Sequence, residues 1–279
     1  MAGKASNKVL LHKLNLEFTK VIALHFINAL CAHWKNHQLT HFASTRWGQN
    51  LHSLKDKYTG KRCFIIGNGP SLRPEDLDKL VDEYTFAFNR IYYIFDQTAW
   101  RPTFYCTQDA KIAQSSAKEI KEKIDTPYLF APINLKWYED VDIDTDYFFS
   151  PKLAGENVPE FSENIPSHID VGNTVAYTAM QLAVYMGFSE IYLLGVDHSF
   201  QTYQDKDGNV IVDPNAKDYF CDQYNQDKDK LFVPKLDVST LSYMAAQRYA
   251  EIHHVAIYNT TRGGKLEVFP RIDFDSLFD

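Results

Sequence analysis

Residues 61–80 read KRCFIIGNGPSLRPEDLDKL and pass from a strand pattern to a helical pattern within a few positions. The apolar run at residues 63–66 predicts a buried strand, and the acidic stretch that follows predicts a helix. Between them, glycines permit a tight turn and close approach of the backbone, and an asparagine offers donors and an acceptor. We predict that this turn binds a nucleotide and that N–H groups of the next helix face an anion. The alternative is a purely structural turn. The turn comprises Gly67, Asn68, Gly69, Pro70 and Ser71.

This turn differs from the two commonest phosphate-binding loops. A Walker loop requires Gly-Lys-Ser or Gly-Lys-Thr after a longer spacer, and this segment has neither. The dinucleotide fingerprint requires a third glycine at the position of Leu72. The segment therefore indicates a nucleotide-binding turn of another kind.

The composition is typical of a globular protein in a reducing compartment. The chain has 279 residues, 45% hydrophobic and 14% aromatic, which suits one large domain or one domain with an extension. The four cysteines are widely spaced without a CxxC pair, so we expect reduced thiols. No run of 18 apolar residues is uninterrupted by charge, and no signal-peptide pattern begins the sequence. We therefore expect a cytoplasmic protein, with peripheral association at the inner face of the membrane as an alternative.

The net charge of −7 is unevenly distributed along the chain. Residues 1–60 hold eight Lys or Arg and two Asp or Glu, a net charge of +6, whereas the rest carries −13. We predict that residues 1–60 form a basic helical extension that meets an anionic partner. The apolar periodicity of residues 8–35 predicts a helix that packs on the body or on a second subunit. An amphipathic helix on an anionic membrane surface is the other interpretation.

From residue 61 onward, strand-like and helical segments alternate. The alternation predicts an α/β fold, a single Rossmann-like domain over residues 61–279 with a mostly parallel sheet covered on both faces. The clearest helix is NTVAYTAMQLAVYMG, residues 173–187, in which an apolar stripe ends at a glycine suited to the C-cap. The strand-like runs are residues 63–66, 85–88, 103–107, 128–130, 191–194 and 255–258.

Polar residues follow most of these runs. Because the carboxyl ends of parallel strands share one edge of a sheet, we predict a polar ligand site at that edge. Asn173 and Thr174 precede the clearest helix, and we predict that Asn173 caps it or that both bind phosphate or ribose there. The strand-end candidates are Asn68, Asn89, Asp109, Gly195, Asp197 and His198.

The segment GVDHSF, residues 195–200, supplies the candidate for the general base. His198 follows a predicted buried strand, and an imidazole titrates near neutral pH. His253 and His254 precede the last run and belong to the opposite end of the sheet. The alternative is that Asp197 caps a turn and His198 is a surface group.

Residues 199–237 form a long polar excursion from this edge, which predicts a lid over the substrate. Tyr203 and Tyr224 are candidates for packing the lid or stacking on a sugar. The stretch DKDGN at residues 205–209 is similar to a calcium loop, but its glycine comes too early and the twelfth-position glutamate is missing. We therefore predict a hairpin turn there and no metal site.

Three motifs together resemble a known family. IIGNGPSL, FAFNRIYYIF and GNTVAYTAMQLAVYMGFSEIYLLGVDHSF occur in the order and spacing of bacterial Rossmann-like sialyltransferases. The same pattern is similar to uncharacterised bacterial relatives of archaeal 6-hydroxymethylpterin diphosphokinase, often encoded with surface-polysaccharide genes. The resemblance covers about residues 61–200 and reaches weakly to VAIYNTT at residues 255–261.

The sialyltransferase resemblance implies an inverting glycosyltransferase, and the resemblance to the diphosphokinase relatives implies a place in surface-polysaccharide biosynthesis. The sialyltransferase resemblance also implies a CMP-sugar donor, a glycan acceptor, and no obligatory metal or other cofactor. Asn68 and Asn89 match positions that contact the donor nucleotide, Gly195 and Asp197 match a nucleotide-contacting segment, and Thr174 falls near a Ser/Thr segment beside the donor.

The resemblance fails at the catalytic base. The family places a histidine before the last helix, and here that region reads LFVPKLDVSTL without one. Asp237 is nearest to that position, so Asp237 and His198 are alternatives for the base.

Two other functions stay open from the sequence. A magnesium-dependent pyrophosphokinase could use Asp109 and Asp197 as carboxylate ligands. A non-catalytic nucleotide-sugar-binding protein would fit the same strand ends. We expect no nucleic acid partner, and the sequence leaves the oligomeric state open.

Overall fold

The structure, a computed structural model, describes residue 24 and residues 27–152, 159–204, 209–211, 217–226 and 234–279. The chain divides into two compact units, Met1–Phe42 and Ala43–Asp279. The second unit begins with a helix at Arg46–His52 (α1), whose N-terminal amide at Gly48 donates to the Thr45 hydroxyl. Leu51 and Leu54 are buried, so the predicted domain boundary at residue 60 lies inside the second unit.

The described part of the first unit is mainly one helix over residues 27–40. The predicted helix of residues 8–35 is thus present from residue 27, and residues 8–23 lie outside the described part. Leu24, Ile27, Leu30 and Trp34 recur every three or four positions, and each is more than half exposed. Among the described residues, no helix is long and apolar enough to cross a membrane.

The second unit is built on a seven-stranded sheet in which every strand pair is parallel. Its strands are β1 (Arg62–Ile66), β2 (Thr85–Phe88), β3 (Phe104–Cys106), β4 (Tyr128–Pro132), β5 (Tyr147–Phe149), β8 (Glu190–Leu194) and β11 (Ala256–Asn259). The order is β11-β8-β1-β2-β3-β4-β5. The chain therefore moves outward from β1 to β5 and then returns to the other side of β1. This reversal between β1 and β8 is the point at which open parallel sheets bind ligands.

Two short strand pairs lie outside the main sheet. β6 (Pro151–Lys152) pairs in parallel with β7 (Ile169–Asp170), and β9 (Tyr203–Gln204) pairs in antiparallel fashion with β10 (Val210–Ile211). Residues 205–208, at which the hairpin turn was predicted, lie outside the described residues.

Helices alternate with the strands along the second unit. They are α2 (Pro74–Asp78), α3 (Ala110–Lys123), α4 (Ile133–Trp137), α5 (Val175–Tyr185), α6 (Asp222–Gln226) and α7 (Leu236–His253). Short 3-10 helices occupy Phe42–Ser44, Ile91–Gln97 and Asp275–Leu277. The Rossmann-like α/β fold predicted from the alternation is thereby confirmed.

The core of the second unit explains why β1 reads as an unbroken apolar run. Residues 63–66 have no exposed surface, as expected for a parallel strand covered on both faces. Every residue of α5 from 175 to 183 is buried, so the buried surface of this helix is wider than the apolar stripe predicted from the sequence. Gly187 follows the helix with φ of +90°, where a Cβ would lie 2.9 Å from Thr59 Oγ1. The predicted glycine stop of this helix therefore holds.

All six predicted strand-like runs correspond to strands of the main sheet, but β5 was missed. β5 is three residues long and follows an aspartate-rich stretch, residues 140–146, so it gives little periodic signal. The four cysteines are free, and Cys63 and Cys106 are buried in the sheet. Burial raises the pKa of the Cys106 thiol, which keeps it protonated and unreactive.

Candidate functional site

A cleft of about 530 Å³ lies along the carboxyl edge of the sheet, at the reversal between β1 and β8 and outward from it. The turn after β1, the segment after β8 and the start of α5 all line it. Of the sequence-predicted site residues, the cleft is lined by Gly67, Asn68, Gly69, Asn89, Asp109, Asn173, Thr174, Gly195, Asp197, His198 and Tyr224. Pro70, Ser71 and Asp237 do not line it.

The glycines after β1 allow contact between two backbone segments. A Cβ on Gly67 would lie 2.2 Å from the Gly195 carbonyl oxygen, well inside van der Waals contact. The Gly69 N–H donates to the same oxygen at 2.9 Å. A Cβ on Gly69 would lie 1.9 Å from Asp197 Oδ2. The space beside these glycines is thus filled by the segment after β8.

Ser71 and Asp197, both predicted to bind the nucleotide, bind each other. The Ser71 hydroxyl donates to Asp197 Oδ2 at 2.7 Å. Burial raises the pKa of the Asp197 carboxyl, and the hydrogen bonds from Ser71 oppose that rise. This bond ties the turn after β1 to the segment after β8 and fixes one oxygen of Asp197.

Three asparagine side chains present amide oxygens to the cleft. Asn68 Nδ2 donates to the Phe88 carbonyl at 2.9 Å, which orients its Oδ1 away from that carbonyl. Asn68, Asn89 and Asn134 line the cleft, and each Oδ1 is buried with no hydrogen-bond partner in the described part of the chain. A buried acceptor without a donor costs about 1–3 kcal/mol. Together they predict a ligand with several N–H or O–H donors.

The start of α5 opens toward the cleft. Thr174 is the N-cap residue, but its side chain makes no capping bond and lies 3.3 Å from the Tyr243 hydroxyl. The prediction that Asn173 is the N-cap is therefore wrong. Asn173 instead adopts φ of 56°, which turns the chain into the helix. Val175 and Ala176 line the cleft, so the N-terminal N–H groups of an uncapped helix lie beside the ligand space.

His198 lines the cleft with a defined hydrogen-bond arrangement. Its Nε2 lies 2.8 Å from Thr240 Oγ1, and the Thr240 hydroxyl donates to the Leu236 carbonyl at 2.7 Å. Because that hydroxyl has one proton, the His198 Nε2–H donates to Thr240, and Nδ1 carries the lone pair. Burial lowers the pKa of His198. The imidazole is thus neutral at pH 7 and suited to accept a proton at Nδ1.

Asp237, the alternative base, lies in the first turn of α7. Its side chain is exposed and outside the cleft lining. The same turn contributes Thr240 to the site, by way of the hydrogen bond to His198. The sequence therefore pointed to the right helix, α7, but not to Thr240. A single threonine in a helix gives no sequence signal of a functional role.

The described part of the predicted lid packs against the turn after β1. The Phe220 N–H donates to the Asn68 carbonyl at 3.1 Å. Tyr219 and Tyr224 stack with their ring centroids 3.9 Å apart, and Tyr224 is 1% exposed. Tyr224 therefore forms part of the packed cleft wall and offers little ring surface for stacking on a sugar. The side chain of Tyr203, the other candidate, lies outside the described residues.

Asp109 and Asn134 lie farther along the same edge. Asp109 is the N-cap of α3 and accepts from the Ile112 N–H at 3.1 Å. Asn134 follows β4 in α4. It was missed from the sequence because the two residues that follow the predicted run 128–130 are Ala131 and Pro132, which carry no polar side chain. No group of three or more His, Cys, Asp or Glu among the described residues is arranged to hold a metal ion.

The sequence matches the family described as 6-hydroxymethylpterin diphosphokinase MptE-like over residues 36–203, more than half of the chain. This match confirms one of the two resemblances suggested by the motifs, and it begins before residue 61, where the motif resemblance began. No curated protein matches the chain.

Several solved structures are similar to the chain. The structure of MAf glycosyltransferase from Magnetospirillum magneticum AMB-1 is 15% identical with a TM-score of 0.48, and the similarity covers 83% of this chain. The chain spans 38% of the length of that structure. The sialyltransferase CstII from Campylobacter jejuni, in complex with the substrate analogue cytidine-5'-monophosphate, is 16% identical with a TM-score of 0.38. That similarity covers 75% of this chain and 84% of the other.

Proposed function

The chain belongs to the 6-hydroxymethylpterin diphosphokinase MptE-like family, and we propose that it is a glycosyltransferase that uses a nucleotide-activated sugar. The observation that carries the proposal is that one cleft is lined by buried amide oxygens, an uncapped helix start and a neutral imidazole. Amide oxygens bind a nucleoside, the helix start binds phosphate, and the imidazole removes a proton from the acceptor. The acceptor is a glycan hydroxyl, in the surface-polysaccharide biosynthesis implied by the motif resemblance.

The nucleotide occupies the reversal between β1 and β8. Asn68 Oδ1 and Asn89 Oδ1 accept hydrogen bonds from the base or the ribose, and the phosphate lies at the N-terminus of α5. We favour a CMP-linked donor because the exocyclic amine of cytosine offers N–H donors, whereas uracil presents a carbonyl oxygen there. Asp197 contributes through its bond to Ser71, which holds the two nucleotide-facing segments together.

The transfer proceeds as a single displacement. His198 Nδ1 takes the proton of the acceptor hydroxyl as that oxygen attacks the anomeric carbon of the sugar. The bond from the anomeric carbon to the phosphate oxygen breaks on the opposite side, and the phosphate leaves with the bonding electrons. The anomeric configuration inverts. The N–H groups at the start of α5 stabilise the negative charge that develops on the departing phosphate.

Nucleotide binding through Asn68 can be tested by substitution. We expect Asn68→Leu to weaken nucleotide binding about tenfold or more, because it removes the buried acceptor and leaves the ligand donor unpaired. Asn50→Leu is the matched control, since Asn50 also donates to a main-chain carbonyl, that of Asp146 at 3.0 Å, but lies outside the cleft. Isothermal titration with CMP, CDP, UDP, GDP and ATP, with and without magnesium, measures both. Equal affinities of the two variants would contradict the proposed nucleotide position.

A second candidate function is favoured by the family itself. A diphosphokinase would transfer pyrophosphate from ATP and require magnesium, with Asp109 and Asp197 as carboxylate ligands. The same titrations separate the candidates: CMP binding without metal supports glycosyl transfer, and ATP binding that depends on magnesium supports the diphosphokinase. A non-catalytic nucleotide-sugar-binding protein would bind the donor without turning it over.

The N-terminal extension is proposed to contact an anionic membrane surface. We expect the full chain to bind anionic vesicles more strongly than neutral ones and to lose this binding as salt rises. A variant lacking residues 1–41 removes the exposed apolar face of Leu24, Ile27, Leu30 and Trp34 but keeps α1. Co-sedimentation should show that it no longer binds vesicles, while its nucleotide affinity is unchanged. Without vesicle association by the full chain, packing on the body or on a second subunit becomes the better interpretation.

A further inference from the structure

The backbone of His198, the proposed base, adopts a conformation that residues with a side chain seldom enter. Its φ is 50°, in the left-handed region. Such a conformation persists where the surrounding structure holds it, and it recurs at functional sites. The orientation of the peptide between Asp197 and His198 sets the direction of the His198 Cβ, and with it the position of the imidazole. The groups that hold this peptide therefore decide where the base lies.

This peptide is held by the loop that follows β11. We call residues 261–266 the support loop. The Lys265 N–H donates to the Asp197 carbonyl at 2.7 Å. The Val196 N–H donates to Thr261 Oγ1 at 3.1 Å. The support loop thus binds the segment after β8 at two main-chain groups, and one of them belongs to the peptide that precedes His198.

The support loop approaches Asp197 so closely that glycine is required at one position. Gly264 has φ of +74°, and a Cβ there would lie 2.7 Å from the Asp197 carbonyl oxygen. Gly263 has a similar φ of +79°, but no described atom lies within 4 Å of its Cβ position. The two glycines share a strained backbone region, whereas Gly264 alone of the two contacts Asp197.

Arg271 holds the support loop in shape. Its guanidinium donates to four main-chain carbonyls of the loop, those of Thr261 at 3.2 Å, Gly263 at 2.7 Å, Gly264 at 3.4 Å and Leu266 at 3.2 Å. The Arg271 backbone forms a parallel bridge with Asn259 of β11, which anchors the side chain to the sheet. A guanidinium presents five N–H donors in a rigid plane, whereas a lysine ammonium is a single point with three donors. The fork of Arg271 therefore connects the main sheet to the loop that holds the Asp197–His198 peptide.

We propose that Arg271 and Gly264 are positioning residues for the base, because they hold the support loop against the Asp197–His198 peptide and so keep the imidazole in the cleft. The inference rests on the proposed function, since it assigns residues that place the base of that reaction. Neither residue lines the cleft, so each acts through His198 and not by touching the substrate.

The two glycines provide the first test. Burial lowers the pKa of His198, so an imidazole that leaves its place becomes more hydrated and its pKa rises toward 6.5. We expect Gly264→Ala to raise the pKa of His198 and to slow the chemical step about tenfold or more, as displacement of a catalytic group does. Gly263→Ala should shift both quantities less. Nuclear magnetic resonance titration of histidine-labelled full-length chain measures the pKa, with the His198 signals identified by their absence from His198→Ala.

Arg271 provides the second test, with Arg101 as the matched control. Arg101 also donates to three main-chain carbonyls, those of Phe95, Thr98 and Trp100, and lies outside the cleft lining. We expect Arg271→Met to raise the pKa of His198 and to slow single turnover, with a smaller change in nucleotide affinity. Arg271→Lys should do the same, because it keeps the charge and loses the fork. Arg101→Met should leave the titration of His198 unchanged even where it lowers the temperature of thermal unfolding.

These measurements separate failure of the inference from failure of the proposed function. Natural titration of His198 in both Gly264→Ala and Arg271→Met overturns the inference, whether or not the chain transfers a sugar. An equal shift in Arg101→Met also overturns it, since the effect would then follow general destabilisation. A shift of His198 confined to the Gly264 and Arg271 variants supports the inference. If the natural chain then transfers no sugar from any donor, the proposed function fails and the support of the His198 backbone still holds.

Discussion

Replacing His198 with alanine is expected to lower turnover by about 10²–10⁴-fold, with little change in nucleotide affinity, because it removes a general base. The structure places this imidazole in the cleft and directs its Nε2–H to Thr240, which leaves Nδ1 as the proton acceptor. Single-turnover rates and titrations with one donor and one acceptor separate the chemical step from binding.

Asp237→Ala is the matched control for this experiment. Asp237 stands where the resembled family keeps its histidine, but its side chain is exposed and outside the cleft. We expect near-normal turnover in this variant. Collapse of turnover in Asp237→Ala together with near-normal turnover in His198→Ala would assign the base to Asp237.

The pH dependence follows from the same histidine. Burial lowers the pKa of His198 below its ordinary value of 6.5. The value of kcat/KM should therefore rise with pH through a pKa below 6.5 and stay level above it. The unfolded chain binds a proton at higher pH than the folded one does, so stability from this residue is full above 6.5 and lost as pH falls. An activity pKa above 7 would contradict a buried histidine as the base.

The second large effect is expected at Gly67. A methyl group at this position would lie 2.2 Å from the Gly195 carbonyl oxygen and force apart the segments after β1 and β8. We expect Gly67→Ala to lower the free energy of unfolding by about 3 kcal/mol or more, as overpacking against a backbone does. Urea unfolding followed by circular dichroism measures the change.

Two other glycines serve as controls. Gly60 has φ of +72° with nothing within 4 Å of a Cβ, so Gly60→Ala reports backbone strain alone, about 1–2 kcal/mol. At Gly69 a Cβ would lie 2.8 Å from the Gly195 carbonyl oxygen, farther than the 2.2 Å at Gly67. Its shortest contact is with Asp197 Oδ2, which can give way only by losing its bond to Ser71, so Gly69→Ala should cost less than Gly67→Ala. Equal stability losses for Gly60→Ala and Gly67→Ala would show that the two segments separate at little cost.

Much of the fold and of the site edge was predictable from the sequence. The strands of a parallel sheet that is buried on both faces consist of continuous apolar runs. Residues 63–66 and 191–194 are two such runs. Asn68, Asn89, Asp109 and His198 lie within four positions after the end of a strand, and parallel strands bring their carboxyl ends to one edge. Local pattern and strand direction therefore sufficed to collect these residues in one cleft.

Pairings between distant segments could not be predicted in this way. The Ser71 hydroxyl meets Asp197, and His198 meets Thr240, across 126 and 42 positions of the chain respectively. Whether these side chains meet depends on how β1, β8 and α7 pack together. The periodicity of the sequence carries no information about that packing.

The sequence by itself determined the α/β class, the parallel sheet and the edge at which a polar site forms, because these depend on burial and on strand direction. The tertiary structure alone decided which of those residues face a ligand. In the folded chain Ser71 is hydrogen-bonded to Asp197, Asp237 is exposed, and a hydrogen bond to Thr240 orients His198. It also brought Asn134 into the same cleft as Asn68 and Asn89. The physical reason is that the availability of a polar atom depends on its partners in space, and a sequence pattern specifies only its neighbours along the chain.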